Sequence, residues 1–368
     1  MQNFRFPLAS RRKAIVAVAG VAVLAAVIWM GRPVPNTGNI FLETPALALE
    51  GLHASSLYFN GLARPWLLAR RPDLLTEADR SEASDKTRAF AQAVLNPKLF
   101  WKLDRQYRFD ALLLIGDPSQ YRPLIDHLVG TKVWTLRYVD HTSLVFRRDT
   151  GRVWQLSDLD PVRQRFAGAS SRDRAIFLSN VGVKLVAVRQ FDAAKQVLDE
   201  AVRLDDKLPE AWNGMAEYRM AKSEWREAQT AVDHALSLDG EFLPALATKT
   251  LLLYGARRYS EAYALSGKLI SKIPDDPNLL FYHAKIAHEA HAYKTEIEVL
   301  LKLIDRAEAE NQPLSGYQIY LAQAYAKVGE GQRSIDQFMK ALDDPELSDE
   351  QRSFARDNIL RIKKQTGL

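Results

Sequence analysis

The chain has 368 residues, with 50 Lys and Arg against 45 Asp and Glu for a net charge of +5, and it has no cysteine. That length has room for two domains and an anchor. The missing cysteine excludes disulfides and a lipidated N-terminal cysteine, and interspersed charge without a long basic run argues against a nucleic-acid-binding protein.

Residues 1–13 form a basic tail carrying Arg5, Arg11, Arg12 and Lys13. Residues 14–30 are an uninterrupted apolar run, which as a helix would span about 25 Å. Only Arg32 follows closely, so the charge bias predicts a single-pass transmembrane helix with the N-terminus cytoplasmic. Trp29-Met30-Gly31-Arg32 is a poor cleavage site, which favours an uncleaved signal anchor over a secretory leader. The expected localisation is therefore the inner membrane, with the bulk of the chain periplasmic. Residues 31–39, including Pro33–Gly38, read as a turn-rich linker.

Residues 40–160 read as a small α/β extracytoplasmic domain. Ser56–Phe59 offers a first strand, and Lys86–Tyr107 is helical with a break at Asn96-Pro97. Phe109–Ile115 is a buried strand ended by Gly116-Asp117-Pro118, and Gln120–Val129 a short helix. Val133–Val139 and Ser143–Arg148 are strands joined through Asp140-His141-Thr142 as a hairpin. Residues 161–174 connect this domain to the C-terminal half of the chain.

From residue 175 a frame of 34 residues recurs. Leu178, Trp212, Leu246 and Leu280 open successive helices; Phe191, Trp225, Tyr259 and Tyr293 stand at the turns, where an aromatic is expected to fill the wedge between pairs. Ala194, Ala228 and Ala262 follow, then Ala201, Ala235 and Leu269. This pattern resembles the tetratricopeptide repeat (TPR), whose period is its signature. The resemblance implies a mainly α fold, a C-terminal α-solenoid of stacked helix pairs over 175–348 closed by a capping helix at 349–368. The five repeats are Ala175–Leu208, Pro209–Phe242, Leu243–Asp276, Pro277–Leu314 and Ser315–Ser348. The fourth is longer by about four residues, placed near Glu310-Asn311-Gln312-Pro313.

In the preceding domain, Tyr58-Phe59-Asn60, Arg70-Arg71-Pro72-Asp73-Leu74-Leu75, Phe109–Asp117 and Trp134–Arg148 occur in an order that resembles the extracytoplasmic domain of bacterial multi-spanning glycosyltransferase-like membrane proteins, over about residues 55–150. The paired glycines after the Phe-Asn and the whole multi-spanning half are missing here. In that family the catalytic carboxylate lies in the missing half, so the resemblance implies an accessory domain without transferase activity.

Chemistry-bearing residues are sparse. His283, His288 and His291 cluster in sequence, but His288-Glu289-Ala290-His291 is not a zinc-protease arrangement. Gly116-Asp117-Pro118-Ser119 follows a strand, yet one glycine before a proline does not supply a phosphate cradle. Asp110, Asp117 and Asp140 stand at strand ends without a nucleophile motif beside them. No catalytic residue, metal ligand or cofactor is expected, and the chain is read as a non-enzyme. The TPR resemblance implies a concave groove lined by first helices: Asn213, Glu217 and Met220; Ala247, Leu251 and Tyr254; Phe281, Lys285 and His288; Ile319, Gln323 and Lys327. The Lys/Asn carboxylate clamp of some TPR proteins is not matched, since the first repeat offers Ser179 and Val183. The groove is expected to take a protein or peptide ligand with hydrophobic anchors. Together these features predict a membrane-anchored scaffold or adaptor of the bacterial cell envelope. The alternative is an accessory subunit of envelope polysaccharide or protein glycosylation machinery whose α/β domain contacts a glycan or a transferase.

Overall fold

The structure is a computed structural model that describes residues 49–367 apart from 53–55, 82–83, 132, 149–153, 310–312 and 346. The described chain forms two compact units, one ending at Lys249 and the other beginning at Thr250. It is mainly α-helical, built of TPR-like helix pairs, with a small β-containing N-terminal region.

That region contains β1 (Leu57–Phe59), α1 (Ala63–Arg70), α2 (Glu77–Arg80), α3 (Asp85–Ala93), α4 (Pro97–Tyr107), β2 (Ala111–Ile115), α5 (Arg122–Gly130), β3 (Trp134–Val139) and β4 (Ser143–Arg148). The strand order is β1-β2-β4-β3, with β1 parallel to β2 and the other two pairings antiparallel. The break between α3 and α4 has a local cause: the Asn96 side chain accepts from the Leu99 N–H at 3.2 Å, and Pro97 takes the first helical position, where its missing N–H costs nothing. One face of the sheet is sealed by aromatics. Tyr58, Phe90, Phe100 and Phe109 are buried with ring centroids 4.9–6.3 Å apart, and the Tyr58 hydroxyl donates to the Phe90 carbonyl at 2.7 Å.

After α6 (Asp160–Arg165) come the helix pairs α7 (Ser171–Ala187) with α8 (Phe191–Leu204), and α9 (Pro209–Ala221) with α10 (Trp225–Leu238). Next are α11 (Leu243–Gly255) with α12 (Tyr259–Lys272), and α13 (Pro277–Glu289) with α14 (Tyr293–Ala309). The last elements are α15 (Ser315–Lys327) with α16 (Gly331–Leu342), then α17 (Asp349–Thr366). Leu198 explains two glycines of the first pairs. A Cβ on Gly182 or Gly214 would fall 2.5 or 2.7 Å from its methyl group, so neither position has room for a side chain without displacing it.

The 34-residue period also appears in the backbone. Arg189, Ser223, Arg257 and His291 all have φ of 61–62°, and Gly329 takes the same place in the fifth pair with φ 84°. Each is the left-handed residue that ends a first helix, and the next N–H reaches back five residues, from Gln190 to the Leu185 carbonyl through to Glu330 on Tyr325. This is the Schellman closure, which favours glycine because a side chain strains the left-handed region. Ser223→Gly is therefore expected to raise stability by up to about 1 kcal/mol, the relieved strain less glycine's entropy cost, and Gly329→Ala to lower it. Urea midpoints that move the other way would refute the strain argument.

Three sequence expectations need correction here. First, among the described residues no helix is long and apolar enough to cross a membrane. The expected anchor at 14–30 lies outside the described residues, so the structure gives no support to a transmembrane helix, an inner-membrane or periplasmic placement, or a membrane partner. An apolar run of that length does not by itself separate a spanning helix from other apolar segments. Second, the extra length of the fourth repeat begins in the helix: α14 runs 17 residues where α8, α10 and α12 run 14. Third, the turn aromatics do not all fill a wedge between pairs, although Phe191 carries the Lys222 ammonium of the next pair over its ring at 5.4 Å. Trp225 is 56 % exposed, while Tyr259 packs back on Tyr254 at 5.5 Å and Tyr293 on His288 at 5.7 Å.

Candidate functional site

The hydrophobic period that builds the helix pairs leaves the first helices' other face to functional side chains. The first unit holds Asn213, Glu217 and Met220 on α9. Asn213 is 1 % exposed; its amide donates to Glu217 at 2.8 Å, while its Oδ1 is buried without a hydrogen-bond partner. Met220 is half-buried one turn on.

The second unit holds the rest. Leu251 is buried and Tyr254 half-buried on α11; Tyr254 lies 5.9 Å from the ring of Tyr282. On α13, the half-buried Phe281 meets Tyr317 and Tyr320 of α15 edge-on, both at 5.1 Å. The Lys285 ammonium stands over Phe281 at 5.6 Å and over Tyr320 at 5.7 Å. Such cation–ring contacts are favourable and strengthen as water is excluded. Burial lowers the Lys285 pKa from its ordinary value. His288 Nδ1 lies 3.0 Å from each carboxylate oxygen of the fully buried Glu296 on α14.

Three expected residues behave differently. Ile319 is buried with Phe338 and Ile362 in the core of the last helices, Gln323 bonds back to the Ile319 carbonyl at 3.2 Å, and Lys327 is exposed, its charge felt by Glu296. Two residues that the repeat pattern did not single out belong to the same first helices, Tyr320 and Glu289, and the buried Glu296 of α14 supports His288 from behind. Tyr320 follows Ile319 by one position, and the hundred-degree step of the helix turns it toward Phe281 where Ile319 turns inward. Glu289 was visible as the acid four residues after Lys285.

The other sequence candidates disperse. His283 is buried against Ser266 Oγ at 2.7 Å, His288 is bound to Glu296, and His291 is exposed beside the Tyr293 hydroxyl at 2.6 Å. Among the described residues no group of three or more His, Cys, Asp or Glu could hold a metal. Asp110 is exposed at the start of β2, while Asp117 and Asp140 are buried past its other end, where both act on the Tyr121 hydroxyl. Asp140 accepts from Tyr138, Thr142 and Ser143 and closes the β3–β4 turn. The Gly116 N–H donates to the Thr142 carbonyl, and its carbonyl accepts from Tyr121, so this loop spends its backbone groups on the fold.

No protein-family model and no curated protein matches the chain. Solved structures similar to it include MamA, residues 41 to the end, from Desulfovibrio magneticus RS-1, at 18 % identity over 46 % of this chain and 94 % of that one, with a TM-score of 0.41. PilF of Pseudomonas aeruginosa is 16 % identical over 53 % and 90 %, at 0.40. YrrB, described as a TPR protein with an unusual peptide-binding site, is 15 % identical over 51 % and 90 %, at 0.41. At these scores the likenesses decide nothing about function. The expected resemblance of residues 55–150 to glycosyltransferase-like membrane proteins finds no support in any comparison, and the glycosylation role that rested on it falls with it. Strand, helix, strand and hairpin is an order many unrelated small α/β modules share.

Proposed function

We propose that the chain is a non-catalytic protein-interaction module and that the first-helix face of its second unit receives a peptide segment of a partner protein. The observation that carries this reading is the half-buried platform of Phe281, Tyr317 and Tyr320 capped by Lys285. Aromatic side chains present large, stiff contact area, and binding energy concentrates on such anchors. Tyr254 adds a further half-buried ring in this unit.

A randomised dodecapeptide library panned against the full chain tests this. Enriched peptides are expected to bind the wild type and to weaken about tenfold or more, the loss of about 1.4 kcal/mol, in Phe281→Ala and Tyr254→Ala. Trp225→Ala, on an exposed turn of the other unit, is expected to leave binding unchanged. A library that yields no binder, or losses equal at Trp225, would count against the reading.

A further inference from the structure

Lys285 and Glu289 sit four residues apart on α13, on one face of the helix and about 6 Å apart along its axis. Opposite charges at that spacing ordinarily pair, but with Lys preceding Glu the orientation is the weaker one, and here the two stay apart. Among the described residues neither side chain makes a hydrogen bond or an ion pair. Lys285 is held over Phe281 and Tyr320 instead. Glu289 is half-buried near the end of the same helix, and after burial its charge contributes to raising the pKa of Tyr254, Tyr259, Tyr293 and Tyr320. Glu289 is a half-buried charge without an ion pair among the described residues, and Lys285 is compensated by ring faces alone, an arrangement that costs folding more than a direct pair would. Sites where a local rule is broken without compensation are where function is to be sought.

We infer that this face is a dipolar docking site for a partner-protein peptide carrying an acidic side chain that meets Lys285 and a basic side chain, about 6 Å away, that meets Glu289. The spacing matches residues four apart on a helix or two apart on a strand, so complementarity selects the pair of charges and its separation. The acid gains an ammonium already stripped of much of its water. The base gains a half-buried carboxylate, whose charge-assisted hydrogen bond strengthens as solvent is excluded. This inference rests on the peptide-binding reading above and names the chemistry of its ligand.

The test repeats the dodecapeptide selection with three variants of the full chain. Wild type is expected to enrich peptides that carry both an acid and a base at two- or four-residue spacing. Lys285→Glu makes the face doubly acidic and is expected to shift selection at least tenfold toward peptides with bases alone; Glu289→Lys is expected to shift it equally toward acids alone. Lys285→Met keeps the stem over the rings and is expected to lose only the acid preference, which guards against a fold defect in the charge reversal. Binders with the same charge composition in all four proteins would overturn the dipolar site and leave the peptide-binding reading standing. No binder to any of them would overturn both. Self-association lost in Lys285→Glu and Glu289→Lys would make a second copy the occupant and overturn the assignment to a partner.

Discussion

Between pH 7 and pH 4 each of the protein's two units is expected to lose stability, because each buries a neutral imidazole. His141 is 7 % exposed, its ring 5.6 Å from both Phe166 and Phe177, which stack on each other at 4.2 Å. Burial lowers its pKa to about 4; Asp140 opposes the shift and Lys184 reinforces it. His283 is 2 % exposed, bonded to Ser266 and stacked on Tyr263, and burial alone lowers it to about 4. With a folded pKa below the unfolded one, the unfolded chain takes the proton first. The stability contribution is therefore full above about pH 6.5 and drains as pH falls to about 4. At 1.36 kcal/mol per pH unit each histidine accounts for roughly 3 kcal/mol in its own unit, a sizeable share of a typical domain's stability. Glu296 works in the opposite sense: burial raises its pKa, so the folded chain takes that proton first and gains stability as pH falls through the raised value. Asp140, whose burial is outweighed by His141 and its hydrogen bonds, has a lowered pKa and loses its contribution only at still lower pH. Urea midpoints at pH 7, 5.5 and 4 check the expectation. His141→Gln and His283→Gln should each flatten the slope, whatever they do to stability at pH 7. A slope unchanged in both variants would show that these imidazoles are not what acid titrates.

The helix pairs were legible because the period is carried by side chains that must be small or large for packing reasons. Ala194, Ala228 and Ala262 are buried to 0 % where the second helices cross, and no other residue type fits a close crossing as cheaply. The turn was legible in place and not in kind. The sequence puts Arg, Ser, Arg and His where the backbone is left-handed, and nothing in those side chains announces the strain; only Gly329 does. The α/β region was legible strand by strand, since Ala111–Ile115 reads as a run buried on both faces. Its order β1-β2-β4-β3 was not, because the hairpin can join either edge of the sheet and the choice rests on long-range aromatic packing. The candidate face was half legible. Phe281, Lys285 and Tyr254 follow from repeat position, whereas Ile319 was assigned by the same rule and is core. Tyr320 replaces it because aromatic contact with Phe281 across two helices outweighs position in the frame. The wedge role assigned to Trp225 failed for a related reason: a ring at a turn can pack on its own pair or face water, and spacing does not distinguish these.

Removing the imidazole of His288 is expected to cost about 2 kcal/mol at pH 8, the loss of a hydrogen bond to a buried charge, and Glu296→Gln is expected to restore most of it. Glu296 is 0 % exposed, and both its oxygens depend on His288 Nδ1 at 3.0 Å. Burial is the largest influence on this carboxyl and raises its pKa; the bond from His288 and its charge lower it, Glu289 raises it and Lys327 lowers it. In His288→Ala the chief compensation disappears, and breaking a buried pair by deleting one partner leaves the other charge uncompensated. The chain can escape by protonating the carboxyl, which fixes the pH dependence. Below the ordinary carboxylate range the folded acid is neutral and the defect is small; as pH rises through the raised folded value the defect grows and then levels off. Glu296→Gln removes the charge while keeping an amide that can bond, so the double variant should be more stable at pH 8 than His288→Ala alone. The quantity to read is the coupling energy from urea denaturation of the four proteins at pH 5.5 and 8. Costs that simply add at both pH values would mean that the imidazole and the carboxylate act independently. Coupling that grows with pH would identify the imidazole as what compensates the buried Glu296 carboxylate.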